Sequence, residues 1–262
     1  MAKKKHQNTE ATLLGTGTSQ GVPVIGCSCE VCQSENPRDK RLRSSLLIKT
    51  GGQNFVIDAG PDFRQQMLRE QVKTLRAVLV THEHVDHVVG LDDIRSYNWI
   101  QKHPMDIYAE ERVQEAIKRI FHYVFADQKY PGIPKMKLHS VNDQPIEIDG
   151  TQFIPIRCYH HKLPVYGFRV GDLTYITDTN FVPPEEMQKV KGSRILIINA
   201  LRREKHISHF NLEEALGMID EIQPEKAYLT HLSHGFGKHD DIEKELPENV
   251  FLAYDGLKIE LE

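Results

Sequence analysis

The chain has no apolar run long enough to cross a bilayer. Its basic start, Met1-Ala2-Lys3-Lys4-Lys5, leads into His6-Gln7-Asn8-Thr9-Glu10 and not into the apolar core of a signal peptide. Membrane association and secretion are therefore not expected, and a cytoplasmic location is. Net charge is also scarce: 33 Lys and Arg against 37 Asp and Glu give −4, with a pI near 6.4. That balance is not the electrostatic footprint of a nucleic-acid binder. Cysteine is limited to positions 27, 29, 32 and 158, and a disulfide framework is not expected in a reducing compartment. No repeat, low-complexity tract or linker-like shift in composition divides the chain. It reads as a single domain over 1–262, with 1–10 as a disordered N-terminus. With 39% hydrophobic and 27% charged residues it can bury a full core.

What is present is a series of short β-branched runs. Strands are expected at 12–14, 45–50, 54–58, 78–80, 106–108, 146–148, 153–158, 166–170, 173–176, 195–199, 227–230, 250–254 and 258–261. Gly51-Gly52 and Gly171-Asp172 read as hairpin turns. Helices are expected at 62–70, 93–101, 111–121 and 212–222. In the last, Leu212, Ala215, Leu216, Ile219 and Ile222 make one apolar stripe, Asn211 and Glu214 form a capping box, and Pro224 ends it. Gly15-Thr16-Gly17-Thr18-Ser19-Gln20-Gly21 lacks the spacing of a dinucleotide fingerprint and reads as a tight turn without a ligand of its own. The pattern suits two packed sheets flanked by helices.

The most informative stretch is Thr81-His82-Glu83-His84-Val85-Asp86-His87, directly after the apolar run 77–80. Imidazole and carboxylate at this density suit zinc, manganese or iron. A zincin pairing of His82-Glu83 would need a histidine at 86, where Asp86 stands. Ligands at i, i+2, i+4 and i+5 cannot share one helical face, so a turn must splay them around more than one metal position. Downstream, His160 and His161 follow a strand whose apolar parity, Ile154, Ile156 and Cys158, favours His160. Asp178 closes an apolar strand, and His231 in Thr230-His231-Leu232-Ser233-His234 follows another. Cys27-Ser28-Cys29-Glu30-Val31-Cys32 reads as a second metal cluster lacking its fourth ligand, with Cys158 or a histidine on offer. Cys158, two residues before His160 on a strand, reads as a core residue.

The His82-x-His84-x-Asp86-His87 signature resembles that of the metallo-β-lactamase superfamily. The resemblance spans about residues 12–256 and implies an α+β fold, a four-layer αββα sandwich with a two-metal site at one edge. It further implies His82, His84 and His160 on one ion, Asp86, His87 and His231 on the other, and Asp178 bridging both. The oxygen bridge, with no cysteine among these ligands, fits the phosphodiesterase and thioesterase branches. Two such ions lower the pKa of a bridging water and clamp attacking and leaving oxygens. His209, before the helix at 212, resembles the histidine with which phosphodiesterases of the superfamily protonate the leaving oxygen. Asp86 and His209 are thus the expected catalytic residues.

The Cys-x-Cys-x-x-Cys element, His209 and the His231-x-x-His234 pair resemble most the PhnP-type cyclic phosphodiesterases. That likeness implies a structural zinc on Cys27, Cys29, Cys32 and His234, and two catalytic zinc or manganese ions. It implies hydrolysis of a small cyclic phosphodiester such as a phosphoribosyl 1,2-cyclic phosphate, by attack of a bridging hydroxide. Relatives with the same cysteine element, such as the B protein of pyrroloquinoline quinone synthesis, leave the substrate open. Other readings are a tRNA 3′-processing-like nuclease, a thioesterase, an oxidoreductase and a non-catalytic metal-binding protein of the same fold. Only 17 residues separate His160 from Asp178, too few for the arm of the tRNA nucleases, and the acidic balance argues against nucleic acid. A small phosphorylated substrate is the expected partner, no membrane is involved, and a homodimer is compatible with the chain.

Overall fold

A computed structural model of the chain describes residues 9–128 and 130–261. The expected disorder over 1–10 lies outside the described residues as far as residue 8, and it does not hold beyond, because Thr9 and Glu10 open the first strand. The strands are β1 (Thr9–Gly15), β2 (Ser45–Thr50), β3 (Gln53–Ile57), β4 (Ala77–Leu79), β5 (Met105–Ala109), β6 (Met136–Ser140) and β7 (Ile146–Ile148). They continue as β8 (Thr151–His160), β9 (Leu163–Val170), β10 (Leu173–Ile176), β11 (Ile195–Asn199), β12 (Lys226–Thr230), β13 (Val250–Leu252) and β14 (Lys258–Leu261).

Two seven-stranded sheets result, in the orders β14-β1-β2-β3-β4-β5-β6 and β13-β12-β11-β10-β9-β8-β7. Both are mixed, and the central parallel strands β4, β10 and β11 are buried along their whole length because they are covered on both faces. Alternation sorts each run. Leu46, Ile48, Phe55 and Ile57 point inward against Phe153, Phe168 and Tyr175 of the second sheet, with Phe55 and Phe153 in edge contact at 5.1 Å. Leu47, Val56 and Val78 point outward onto helices Phe63–Arg69, Arg95–Gln101 and Glu111–Ile120. On the second sheet Leu196, Ile198 and Leu229 meet helix Leu212–Ile222, so four layers stack as α, β, β, α. Burying each such side chain is worth about 1.5–3 kcal/mol.

Helix Leu212–Ile222 starts at the expected capping box of Asn211 and Glu214 and stops at Gln223, which takes the left-handed conformation before Pro224. Gly51 and Gly52 both have positive φ in the β2–β3 hairpin, as that tight turn requires. Strand β6 was not expected from the sequence: Met-Lys-Leu-His-Ser carries no apolar run, and it forms because it pairs in parallel with β5 at the sheet's edge. No helix among the described residues is long and apolar enough to cross a membrane.

Candidate metal centre

All the histidines expected at the site lie at ends of β4, β8 and β12 or in the loop after β11, on one edge of the sandwich. After β4 the chain runs through His82 and His84, and His84 caps a single helical turn, Val85–Val88, that carries Asp86 and His87. Loop and turn together provide the splay that the spacing demands. The turn is wedged against Asp58-Ala59-Gly60, where a Cβ on Gly60 would lie 1.9 Å from the Asp86 carbonyl, so only glycine permits that approach. His160 ends β8 and His161 begins the exposed turn to β9 with a φ of 57°, which agrees with the parity argument. His231 follows β12.

The imidazoles converge. Ring centres are 4.3 Å apart for His82–His87, 4.6 Å for His82–His84 and 5.2 Å for His84–His160. His209 touches His160 at 4.5 Å and stacks on His231 at 4.9 Å. At their centre lies Asp178. Its Oδ2 is 3.3 Å from His87 Nε2 and 3.1 Å from His231 Nδ1, and its Oδ1 is 3.3 Å from His209 Nε2. Asp86 faces His87 Nε2 at 3.2 Å. The tightest ligand groups are His82, His87 and Asp178, and His160, Asp178 and His209. They differ from the expected partition, which puts His82 with His160 and leaves His209 free of the ions. Asp178 belongs to both groups, with an oxygen turned to each.

Several partners orient these side chains. Asp58 accepts from Nδ1 of His87 at 2.7 Å and from the backbone N–H and hydroxyl of Thr81, each at 2.8 Å. Thr81 Oγ1 in turn lies 3.0 Å from Nδ1 of His82, and Nδ1 of His160 donates to the Ser208 carbonyl at 2.9 Å. Ser44 Oγ donates to the Gly17 carbonyl and lies 3.2 Å from His231 Nδ1. The glycine-rich turn therefore braces the His231 loop, to which Thr16 and Thr18 are also tied through Leu232. Asp58, Asp178 and His231 all sit at positive φ, 66°, 54° and 58°. Such conformations cost on the order of 1–3 kcal/mol each and cluster where function needs them. Asp58 was missed in the sequence, although an aspartate directly after the apolar strand β3 is the same signal that marks Asp178.

Burial and charge act against each other here. Burial pushes Asp178 up, but the charges of His231 and His87 and the hydrogen bonds of His209 and His231 hold it well below the usual carboxylate range. Burial lowers His87, yet Asp178 and Asp58 raise it well above its ordinary value. His82 is driven far down by burial and by the charge of His87. Burial brings His209 down to about 4. Meanwhile Nε2 of His82 and of His87 are buried without a hydrogen bond. Buried nitrogens facing a shared carboxylate, with their Nδ1 atoms tied behind them, fit divalent cations.

The second cluster is equally compact. Nδ1 of His234 is 3.3, 3.4 and 3.6 Å from the sulfurs of Cys27, Cys29 and Cys32. The Cys32 backbone N–H lowers the Cys29 thiol to about 6 against burial, whereas burial raises Cys32 to about 11. Cys158 is elsewhere, fully buried with its thiol on the Ile156 carbonyl. A tetrahedral Cys₃His set suits zinc.

Residues 53–232 match the model of the beta-lactamase superfamily domain. The chain is similar to an octanoyltransferase of Porphyromonas gingivalis, 43% identical over 249 residues that cover 94% of this chain and 50% of that protein; it spans about half that relative's length. Among solved structures it is similar to a new diphosphatase from the PhnP family, with 37% identity, a TM-score of 0.91 and 97% of each chain covered. It also shares its fold with Zn²⁺-bound PqqB of Methylobacterium extorquens, with 19% identity, a TM-score of 0.76, and 96% of this chain and 100% of that one covered. With the αββα sandwich and the histidine edge in place, the chain belongs to the PhnP family of metallo-β-lactamase-fold hydrolases.

Proposed function

We propose that the protein hydrolyses a small phosphodiester, with a phosphoribosyl 1,2-cyclic phosphate as the model substrate. Two divalent ions, zinc or manganese, would be held by His82, His84, Asp86, His87, His160, His231 and the bridging Asp178, and a structural zinc by Cys27, Cys29, Cys32 and His234. The observation that carries this reading is the position of Asp178, one oxygen facing His209 and the other His87 and His231. A carboxylate so placed can serve two cations close together. Bound there, such ions supply Lewis acidity toward a phosphoryl oxygen and a nucleophilic water at neutral pH.

The chain's own residues do the rest. Asp58, Thr81 and Ser208 orient the imidazoles, and Asp86, held below its ordinary value against burial by the hydrogen bond and charge of His87, faces that ring. His209 is neutral at neutral pH and stacked on His231, with Nε2 turned to Asp178. Asp178 can only accept, so Nε2 of His209 carries a proton and can hydrogen-bond the leaving oxygen; it protonates that oxygen as an imidazolium, once Nδ1 has also taken up a proton, and returns to the neutral ring. His209 lies two residues before the N-cap Asn211, so it acts through its ring and not through the helix's backbone N–H groups.

A small substrate is favoured by what lies between His160 and Asp178. Strands β9 and β10 take up that segment, with two-residue turns at His161-Lys162 and Gly171-Asp172, and leave no arm to grip a large RNA. The octanoyl transfer named for the Porphyromonas gingivalis relative raises thioester chemistry as a second reading. Among the described residues no thiol stands in the histidine cluster to carry an acyl group: three surround His234 and Cys158 is buried with its thiol raised to about 12. Assay of the manganese-loaded protein on a cyclic ribose phosphate, a dinucleoside diphosphate, bis(p-nitrophenyl) phosphate and an octanoyl thioester tests the proposal. Turnover of the phosphodiesters supports it; turnover of the thioester alone refutes it.

A further inference from the structure

Glu83 stands between two candidate ligands, His82 and His84, yet its carboxylate goes to Arg112. Arg112 lies in the first turn of helix Glu111–Ile120, in the outer layer of the first sheet. The same guanidinium donates to the Pro164 carbonyl at 2.6 Å and lies 3.3 Å from Glu110. Pro164, the second residue of β9, pairs with Tyr159, one step from the His160–Leu163 pair at the tip of the β8–β9 hairpin. Glu110 also accepts from Arg157 on β8 at 2.9 Å, three residues before His160.

Arg112 and Glu110 therefore grip both strands of the hairpin that presents His160, and Arg112 grips the loop that presents His82 and His84. These two groups of histidines hang from different sheets. Close by, the sheets are also joined by the backbone bond from Tyr166 N–H to the Thr81 carbonyl, 3.0 Å long. A planar fork can serve a carboxylate and a carbonyl together in fixed geometry, which a lysine ammonium cannot reproduce. The pair is partly buried and thus poorly screened.

We infer that Arg112, through Glu83, is a positioning residue that sets the separation between the His82–His84 loop and His160. This rests on the reading that those three histidines share one ion. The consequence is measurable in ion affinity as well as in turnover, because losing a partner that orients metal ligands typically costs roughly 10–100-fold in either.

The test compares Arg112→Met, Arg112→Lys, Glu83→Gln and the double variant Glu83→Gln/Arg112→Met. Manganese affinity is read by chelator competition, and kcat and KM on bis(p-nitrophenyl) phosphate. Arg112→Met should weaken manganese binding by roughly 10–100-fold and lower kcat more than KM rises. Arg112→Lys should recover only part of the loss, and the double variant should be no worse than Arg112→Met, since both changes open one contact. Wild-type manganese affinity and kcat in Arg112→Met, with only a lower melting temperature, would overturn the inference; so would losses that add in the double variant. Should Arg112→Met fail to fold, Arg112→Lys and Glu83→Gln carry the same comparison. If the wild type cleaves no phosphodiester, the proposed reaction fails, while the affinity measurements still decide the role of Arg112.

Discussion

Asp58 accepts a 2.7 Å hydrogen bond from Nδ1 of His87, with both side chains fully buried. The bond determines which nitrogen of His87 faces Asp178: Nδ1 is occupied behind the site, and Nε2 is left for it. Asp58→Asn should preserve the left-handed backbone, which asparagine tolerates, while weakening that control. Metal affinity should fall by roughly 10–100-fold with the fold intact. Chelator competition on the refolded variant checks this, and unchanged affinity would leave Asp58 a structural residue only.

His209→Ala should keep both catalytic ions and slow turnover by roughly 10²–10⁴-fold. The loss should be smaller for p-nitrophenyl esters than for alkyl esters, because p-nitrophenolate departs without a proton. Equal losses for both leaving groups would assign His209 to binding alone, and loss of metal would make it a ligand, as its proximity to His160 and Asp178 allows.

Zinc at Cys27, Cys29, Cys32 and His234 should act on stability before chemistry. Bound there, it would join the N-terminal loop to the segment after His231, and its binding energy would be folding energy. Cys32→Ser should lower the melting temperature by about 5 °C or more, with a zinc content reduced by one. A variant that melts like the wild type would show the thiols to be free of any structural ion.

His239 gives a pH dependence remote from the metals. It is buried beside Arg41, whose guanidinium reaches its Nδ1 at 3.3 Å, and burial with that charge holds it at about 4. The unfolded chain has a histidine near 6.5. Between these values the unfolded state binds the proton that the folded state excludes, so stability is lost as pH falls from about 6.5 to 4 and is level above. Urea unfolding at pH 7 and pH 5 should show a smaller loss in His239→Gln than in the wild type. Identical losses would mean that His239 is not the group responsible.

Much of the candidate metal centre was legible because several of its residues stand at or just after the ends of apolar strands, a signal local to the sequence, while the roles expected of them came from the resemblance of the motif. His82, His84, His160, Asp178 and His231 could all be placed that way. The partners behind them could not: Asp58 and His87 are 29 residues apart, and Glu83 with Arg112 likewise 29. Such pairs exist only once the sheets are stacked. The one-turn helix Val85–Val88 lies inside the ligand motif and is held by Asp58-Ala59-Gly60, so no periodicity announces it. Strand β6 has the same origin, since its polar residues gain their strand from the neighbouring β5.

Manganese titration of metal-stripped protein, with zinc retained on the cysteines and turnover of bis(p-nitrophenyl) phosphate followed, addresses the shared role of Asp178 most directly. Turnover should appear only as two equivalents of manganese bind, and Asp178→Asn should lose both the turnover and the second equivalent. Full activity at one equivalent, or two tightly bound ions and undiminished hydrolysis in Asp178→Asn, would contradict a bridged pair of ions as the catalytic centre.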